Sequence, residues 1–344
     1  MRGIGLVGCG YITTLLRQGL REAGGTLIAT CDVNHELGKQ VAAEFGAKFY
    51  DDYDKFLADG KIEAVIIAVP NNLHFAFASK AVKAGKMVFC EKPMTTNIND
   101  SIKLVDIVKN HGQLFQVGYM KRFHPAFGQI KSKLTNAGPI LGATIKLFMA
   151  TTARPEGPID PTKATWHSII EKSGGGFLVH SASHSLDLML HTFGIPTQLW
   201  GNVVLDKAGN EFNINSFFLM PQGYFVHLQM AIVLVPRVGY QNTLWEETVE
   251  VITDEAIIRA EGSDWQGMLA NRLAIRKHGC EAVETIYESA MSQWTGEFKA
   301  FFDGMEQGRC LGSSAVDGYR VDQIIDVMKT LNYSQKTVDL KFVY

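Results

Sequence analysis

The chain has 344 residues, 46% hydrophobic and 20% charged, with a formal net charge of −2. That length exceeds one ordinary core and predicts two domains. The near-neutral balance excludes a global field that would attract nucleic acid or an anionic membrane surface, and no apolar run reaches the ~18 residues of a membrane-spanning helix.

Through the first third, short apolar runs alternate with amphipathic ones. The runs at 3–7, 27–31, 64–69, 87–90 and 114–117 are continuous and rich in β-branched residues, which suits parallel strands covered on both faces. Helices are expected over 12–23, 35–44, 74–84 and 97–110. This strand–helix alternation predicts a doubly wound α/β domain over residues 1–120. A helix over 123–136 follows. Strand-like runs at 143–150, 198–205, 214–220, 225–235, 248–252 and 257–260 are spaced as hairpins and meanders. They predict a second, α+β domain over 121–344 with a large open, mostly antiparallel sheet. Helices at 177–193, 294–306 and 316–331 are expected to cover it. Residues 151–165 hold three prolines and read as an exposed loop.

Five cysteines stand at 9, 31, 90, 280 and 310, an odd number without CxxC spacing. They read as reduced core thiols of a cytoplasmic protein. Leu6-Val7-Gly8-Cys9 imitates a lipoprotein cleavage box, but too few residues precede it for a signal peptide.

The turn Gly8-Cys9-Gly10-Tyr11-Ile12-Thr13 joins a strand to a helix. Backbone N–H groups there would face a pyrophosphate at the helix N-terminus. Thr13 occupies the third position of G-x-G-x-x-G, where a small residue lets helix and strand pack closely. Asp32 ends the second apolar run, 22 residues after Gly10, where a carboxylate accepts the ribose hydroxyls of a dinucleotide. It could alternatively cap the next helix. No arginine follows to pair a 2′-phosphate, so NAD is expected, with NADP as the alternative. At the end of the apolar run at 64–69, Val69, Pro70, Asn71 and His74 should border the cofactor, although Asn71 or Asn72 could simply cap a helix and His74 could be structural. Glu91 and Lys92 follow the apolar run at 87–90. A lysine there would hold positive charge near a developing alkoxide; a surface ion pair is the plainer reading.

Taken together and in order, several motifs resemble the Gfo/Idh/MocA family of glucose–fructose oxidoreductases, inositol dehydrogenases and their relatives. They are the glycine turn, Cys31-Asp32, Val69-Pro70-Asn71, Glu91-Lys92-Pro93, Gly118-Tyr119 with Arg122-Phe123, Gly174-Gly175-Gly176, His184-x-x-Asp187 and Asp317-Gly318. The resemblance implies a Rossmann domain, NAD(P), a sugar, cyclitol or other polyol substrate, and homodimers or homotetramers packed through the open sheet. It implies catalytic roles for Lys92 and His184.

His180, His184, Asp187 and His191 fall within a fan of roughly 60° on a helical wheel. That predicts an amphipathic helix with an imidazole-rich side. A neutral imidazole suits removal of the hydroxyl proton as hydride leaves. The family's usual pattern is Asp-x-x-x-His, whereas this chain has His180 at the aspartate's position. Either His180 contacts substrate beside Lys92 and His184, or the two histidines begin a metal site; no third ligand is visible, and no metal is expected. Tyr119 and Arg122, at the predicted crossover, and Trp166 are further substrate-side candidates. Trp166 is followed by His167, while Asp187 is expected to orient a neighbour. The leading expectation is an NAD(P)-dependent oxidoreductase acting on a secondary alcohol. Its rivals are glycoside cleavage by transient oxidation and a non-catalytic NAD sensor.

Overall fold

The computed structural model describes residues 3–151, 166, 169–206, 209–265, 269–288, 292–331 and 337–344. The chain forms two compact units. The first comprises Met1–Met120, Glu171–Gly174 and Trp294–Asp322, and the second comprises Lys121–Ile170, Gly175–Gln293 and Gln323–Tyr344. The chain passes from the first unit to the second at Met120/Lys121, and two later stretches, Glu171–Gly174 and Trp294–Asp322, belong to the first unit.

In the first unit, β1 (Ile4–Val7), α1 (Thr13–Glu22), β2 (Leu27–Cys31), α2 (His35–Phe45), β3 (Lys48–Tyr50), α3 (Tyr53–Ala58) and β4 (Ala64–Ile67) are followed by α4 (His74–Lys83), β5 (Met87–Cys90), α5 (Ile98–His111) and β6 (Phe115–Val117). With a two-residue strand from much later in the chain, these strands form a sheet ordered β15-β6-β5-β4-β1-β2-β3, β15 being Ser313–Ser314. All its pairings are parallel except β15 on β6. Strand β4 is wholly buried, as a two-faced parallel strand must be. The short pair β3 and α3 was not visible in the sequence pattern; α3 is six residues long and is started by Asp52, whose side chain accepts from Lys55 N–H.

The second unit holds α6 (Phe127–Leu134), β7 (Ile140–Ala150), a one-turn α7 (Ile170–Ser173) that straddles the unit boundary, α8 (Ser183–Phe193), β8 (Gln198–Leu205), β9 (Glu211–Leu219) and β10 (Phe225–Val233). The chain continues through β11 (Trp245–Thr253), β12 (Ala256–Gly262), β13 (Asn271–Lys277) and β14 (Val283–Tyr287). With β16 (Val338–Asp339) they form a nine-stranded sheet, β14-β13-β12-β11-β7-β10-β9-β8-β16. It is antiparallel except where β10 pairs β7. Strands β13 and β14 escaped the sequence pattern: charged residues interrupt β13, and the first four residues of β14 are exposed, so no buried face marks it.

The helices α9 (Ser292–Gln307) and α10 (Ala315–Lys329) were expected to cover this second sheet. Most of α9 instead builds the first unit's core. Trp294 is 2% exposed and packs on Gly19 of α1, where a Cβ would lie 2.6 Å from the Trp294 Cβ. Phe298 stacks on Phe89 of β5 at 4.9 Å. Residues 315–322 of α10 also belong to the first unit.

Candidate active site

The residues expected to bind a nucleotide lie at the C-terminal edge of the parallel sheet. Gly8 has φ +80, and a Cβ there would lie 2.4 Å from the Ala68 carbonyl oxygen, so glycine is required by the protein's own packing. Gly10 is different: no protein atom lies within 4 Å of where its Cβ would be. The chain's own packing therefore does not require glycine here, and the position at the start of α1 fits a pyrophosphate. No side chain caps α1, and its first turn has no acidic residue, leaving the positive helix end for an anion. Thr13 is fully buried, and its hydroxyl donates to the Gly10 carbonyl at 2.7 Å. That inward bond lets threonine occupy the third motif position. The Tyr11 ring is exposed, and Ile12 is the N-cap residue of α1.

Asp32 is tied to this turn. Its Oδ2 accepts from Cys9 N–H at 2.6 Å and its Oδ1 from Asn34 N–H at 2.7 Å. The helix-cap alternative for Asp32 fails: Asn34 caps α2, accepting from Leu37 N–H at 3.1 Å.

Beyond β4, Val69 and Pro70 lead into a 3-10 turn, Asn71–Leu73. Asn71 is buried and caps no helix; its Nδ2 donates to the Ser173 carbonyl at 2.8 Å. His74 is 1% exposed, with Nδ1 2.7 Å from the Pro93 carbonyl and Nε2 2.9 Å from the Val69 carbonyl. It thus staples the loop after β4 to the loop after β5. Burial holds its imidazole below the usual histidine range, against these bonds.

Glu91 is buried and Lys92 half-buried. The Lys92 N–H donates to Glu91 Oε2 at 3.1 Å. Burial pushes the Glu91 carboxyl up and the Lys92 amine down, and the charge of each opposes the shift of the other. A less basic amine at a strand end is suited to exchanging hydrogen bonds and protons with a hydroxyl. The residues after Lys92 are fixed by a residue that sequence reasoning missed. Asp322 of α10 accepts from Thr95 N–H at 3.0 Å and from the Ser101 hydroxyl at 2.7 Å. Gly318 presses on the same loop; a Cβ there would lie 2.9 Å from Met94 Sδ. Tyr119 lies in the first unit's core at 1% exposure.

The second unit carries the histidines. Residues 178–182 form a π-helical turn that runs directly into α8. The wider π turn breaks the 100° spacing on which the four-residue fan relied. The expected imidazole-rich side is also corrected, because every residue from Ser183 to Leu190 is buried. His184 is 8% exposed, whereas His180 and His191 are half-buried. Trp166 meets His180 edge-on at 6.2 Å; His167 lies outside the described residues. Arg122, expected to contact substrate, grips Asp187 with two donors: Nε to Oδ2 at 2.8 Å and Nη2 to Oδ1 at 2.6 Å. This buried fork orients α8 one turn beyond His184, the positioning role expected of Asp187. Beside it, Lys121 Nζ and Glu247 Oε2 form a second buried pair at 2.6 Å. Among the described residues, no group of three His, Cys, Asp or Glu side chains is arranged to hold a metal.

Comparison with known proteins agrees with the fold. The model of an oxidoreductase family with an NAD-binding Rossmann fold, Gfo/Idh/MocA, matches residues 2–119. Inositol 2-dehydrogenase 1 of Saccharopolyspora erythraea is 36% identical over 337 residues, 94% of this chain and 90% of that one. Inositol 2-dehydrogenase of Acidothermus cellulolyticus is 26% identical over 335 residues, 92% and 88% of the two chains. A structure of levoglucosan dehydrogenase in complex with NADH and levoglucosan superposes with a TM-score of 0.86 over 99% of each chain, at 19% identity, which is a likeness of fold. No described helix is long and apolar enough to cross a membrane.

Proposed function

The chain belongs to the Gfo/Idh/MocA family of NAD-binding oxidoreductases, and from that premise we propose that it moves hydride between NAD and a secondary alcohol of a cyclitol or sugar. The observation that carries this reading is Lys92. It follows β5, two strands from β1 in one parallel sheet, at the same C-terminal edge as the glycine turn. Ligands of open α/β sheets bind beyond that edge.

Bound there, NAD supplies the hydride acceptor. The start of α1 and the N–H groups at Gly10 bind its pyrophosphate. Each Asp32 oxygen accepts one backbone N–H and retains lone pairs for ribose hydroxyls. Val69, Pro70, Asn71, His74 and Glu91 shape the loops that border it. Lys92 donates to the substrate hydroxyl and favours the developing alkoxide. His184 accepts the hydroxyl proton, and His180 contacts substrate in place of an aspartate. Trp166 borders His180. NAD is the working cofactor, and NADP is a weaker one. A polyol substrate agrees with the inositol dehydrogenases to which the chain is similar.

Two finer readings complete the proposal. The outer face of the nine-stranded sheet carries Phe217 stacked on His227 at 4.4 Å and on Trp200 at 5.1 Å, with Phe225 exposed beside them. An aromatic face of this kind favours homodimers or homotetramers through the sheet. The free, buried thiols of Cys9, Cys31 and Cys90 suit a reducing cytoplasm.

The test is an absorbance screen at 340 nm with NAD and then NADP against inositols, sugars and sugar acids. NADH formation from at least one cyclitol or sugar is expected, with loss of turnover in Lys92→Ala and His184→Ala. NADH binding without turnover across the panel would overturn the reading. Release of an aglycone from a chromogenic glycoside without net NADH would replace it with cleavage by transient oxidation.

A further inference from the structure

A buried carboxylate of the second unit's sheet reaches the start of the histidine-bearing segment. Glu211 is the first residue of β9 and is 3% exposed. Its Oε2 accepts the Gly176 N–H at 2.5 Å, across 35 residues of sequence. The backbone N–H groups of Leu178 and of Glu211 itself also favour its charged form. Phe177, the local N-cap residue of the π turn, offers no side-chain hydrogen bond. Glu211 therefore occupies the role of a cap, supplied by a strand rather than by the helix's own flank.

The two glycines beside it leave room for the carboxylate and for the start of β9. A Cβ on Gly175 would lie 2.8 Å from Glu211 Oε1, and one on Gly176 would lie 2.7 Å from Asn210 Cβ. Gly175 also has φ +153, near the edge of the region side chains avoid. Burial pushes the Glu211 carboxyl above the usual carboxylate range, while the backbone bonds and the charge of Lys329 oppose that shift. A buried carboxylate is costly unless it is hydrogen-bonded, and an apolar side chain at this position would fill space without that cost. The link to the histidines is direct: the Gly176 carbonyl accepts from His180 N–H at 3.0 Å. The residue held by Glu211 through its N–H thus holds His180 through its C=O.

We propose that Glu211 is the positioning residue of the histidine-bearing helical run, setting the placement at which His180 and His184 are presented. The proposal rests on the reading that these histidines serve the reaction. Two residues of the triple-glycine segment thereby gain a purpose: Gly175 admits the carboxylate, and Gly176 admits the backbone at the start of β9.

The test compares Glu211→Gln, which keeps an acceptor oxygen at the same reach, with Glu211→Ala and Glu211→Asp, which remove or withdraw it. Amide hydrogen exchange is measured on the full chain. In the alanine and aspartate variants, exchange over 174–184 should rise about tenfold relative to the rest of the second unit, with near-wild-type protection in the glutamine variant. With the best substrate of the screen, kcat should fall about tenfold in alanine or aspartate and largely recover in glutamine, while KM for NAD stays within about twofold. The aspartate variant decides the matter if alanine does not fold. Unchanged exchange over 174–184, or exchange accelerated evenly through the unit, would overturn the proposal. The exchange measurement needs no substrate. Absence of turnover in the wild type would therefore sink the proposed function while Glu211 is still decided by exchange.

Discussion

Asp32 Oδ2 accepts the backbone N–H of Cys9 at 2.6 Å, so the carboxylate expected to hold the ribose also holds the glycine turn in place. One substitution should disturb both. Asp32→Ala is expected to weaken NADH binding by roughly 10- to 100-fold, the loss of one or two charge-assisted hydrogen bonds. Asp32→Asn should lose less. Fluorescence titration with NADH checks this; wild-type affinity in Asp32→Ala would place the ribose elsewhere.

Lys92 is expected to act on chemistry more than on cofactor binding. Lys92→Ala should lower kcat by about 10²-fold or more, with NADH affinity within a few-fold of wild type. Steady-state kinetics beside the same titration separates the two effects. An equal loss in NADH affinity would make Lys92 a cofactor ligand only.

The Arg122–Asp187 fork has side-chain exposures of 9% and 0%. Removing one partner leaves a buried charge, so Arg122→Ala or Asp187→Ala should cost about 3–5 kcal/mol of stability. Arg122→Ala together with Asp187→Ala should cost much less than the sum of the two. Denaturant unfolding of the four proteins gives the coupling.

His124 predicts acid sensitivity with a definite sign. Its Nδ1 accepts the Ala126 and Phe127 N–H groups at 3.2 Å, and burial, with Lys121 nearby, holds its imidazole well below the usual histidine range. Below about pH 6.5 the unfolded chain takes up a proton that the folded imidazole refuses. Stability is therefore fully present above that pH and is lost as pH falls, by up to about 1.4 kcal/mol per pH unit. The advantage of wild type over His124→Asn should shrink between pH 7 and 5.5 in thermal melts. A constant difference would contradict a neutral buried His124.

Thiol reactivity should follow burial. Burial and the Asp32 charge push Cys9 up to about 12 and Cys31 up to about 11, and Cys90 is raised by burial. A thiol reagent should modify the exposed Cys280 first, Cys310 more slowly, and the other three only on unfolding.

The sequence-level signal was strongest where chemistry is local. The glycine turn, Asp32 and the continuous β-branched runs lie within short windows; the runs form strands of the parallel sheet, and the turn and Asp32 directly follow β1 and β2. What escaped was long-range or broke a period. Asp322 reaches Thr95 across 227 residues, and Glu211 reaches Gly176 from another strand; neither pairing leaves a trace in local spacing. The π turn at 178–182 displaced the helical wheel used for the histidines. Trp294 and Phe298 looked like cover for the second sheet, because an amphipathic helix does not reveal which core its apolar face joins.

Hydride transfer is tested most directly by carrying a label. The best cyclitol or sugar of the screen, deuterated at its carbinol carbons, is oxidised with NAD, and the recovered NADH is weighed by mass spectrometry. One deuterium per NADH is predicted, with Lys92→Ala transferring it far more slowly. Product formed with no deuterium in the nicotinamide, or no NADH at all, would contradict hydride transfer from the substrate carbon.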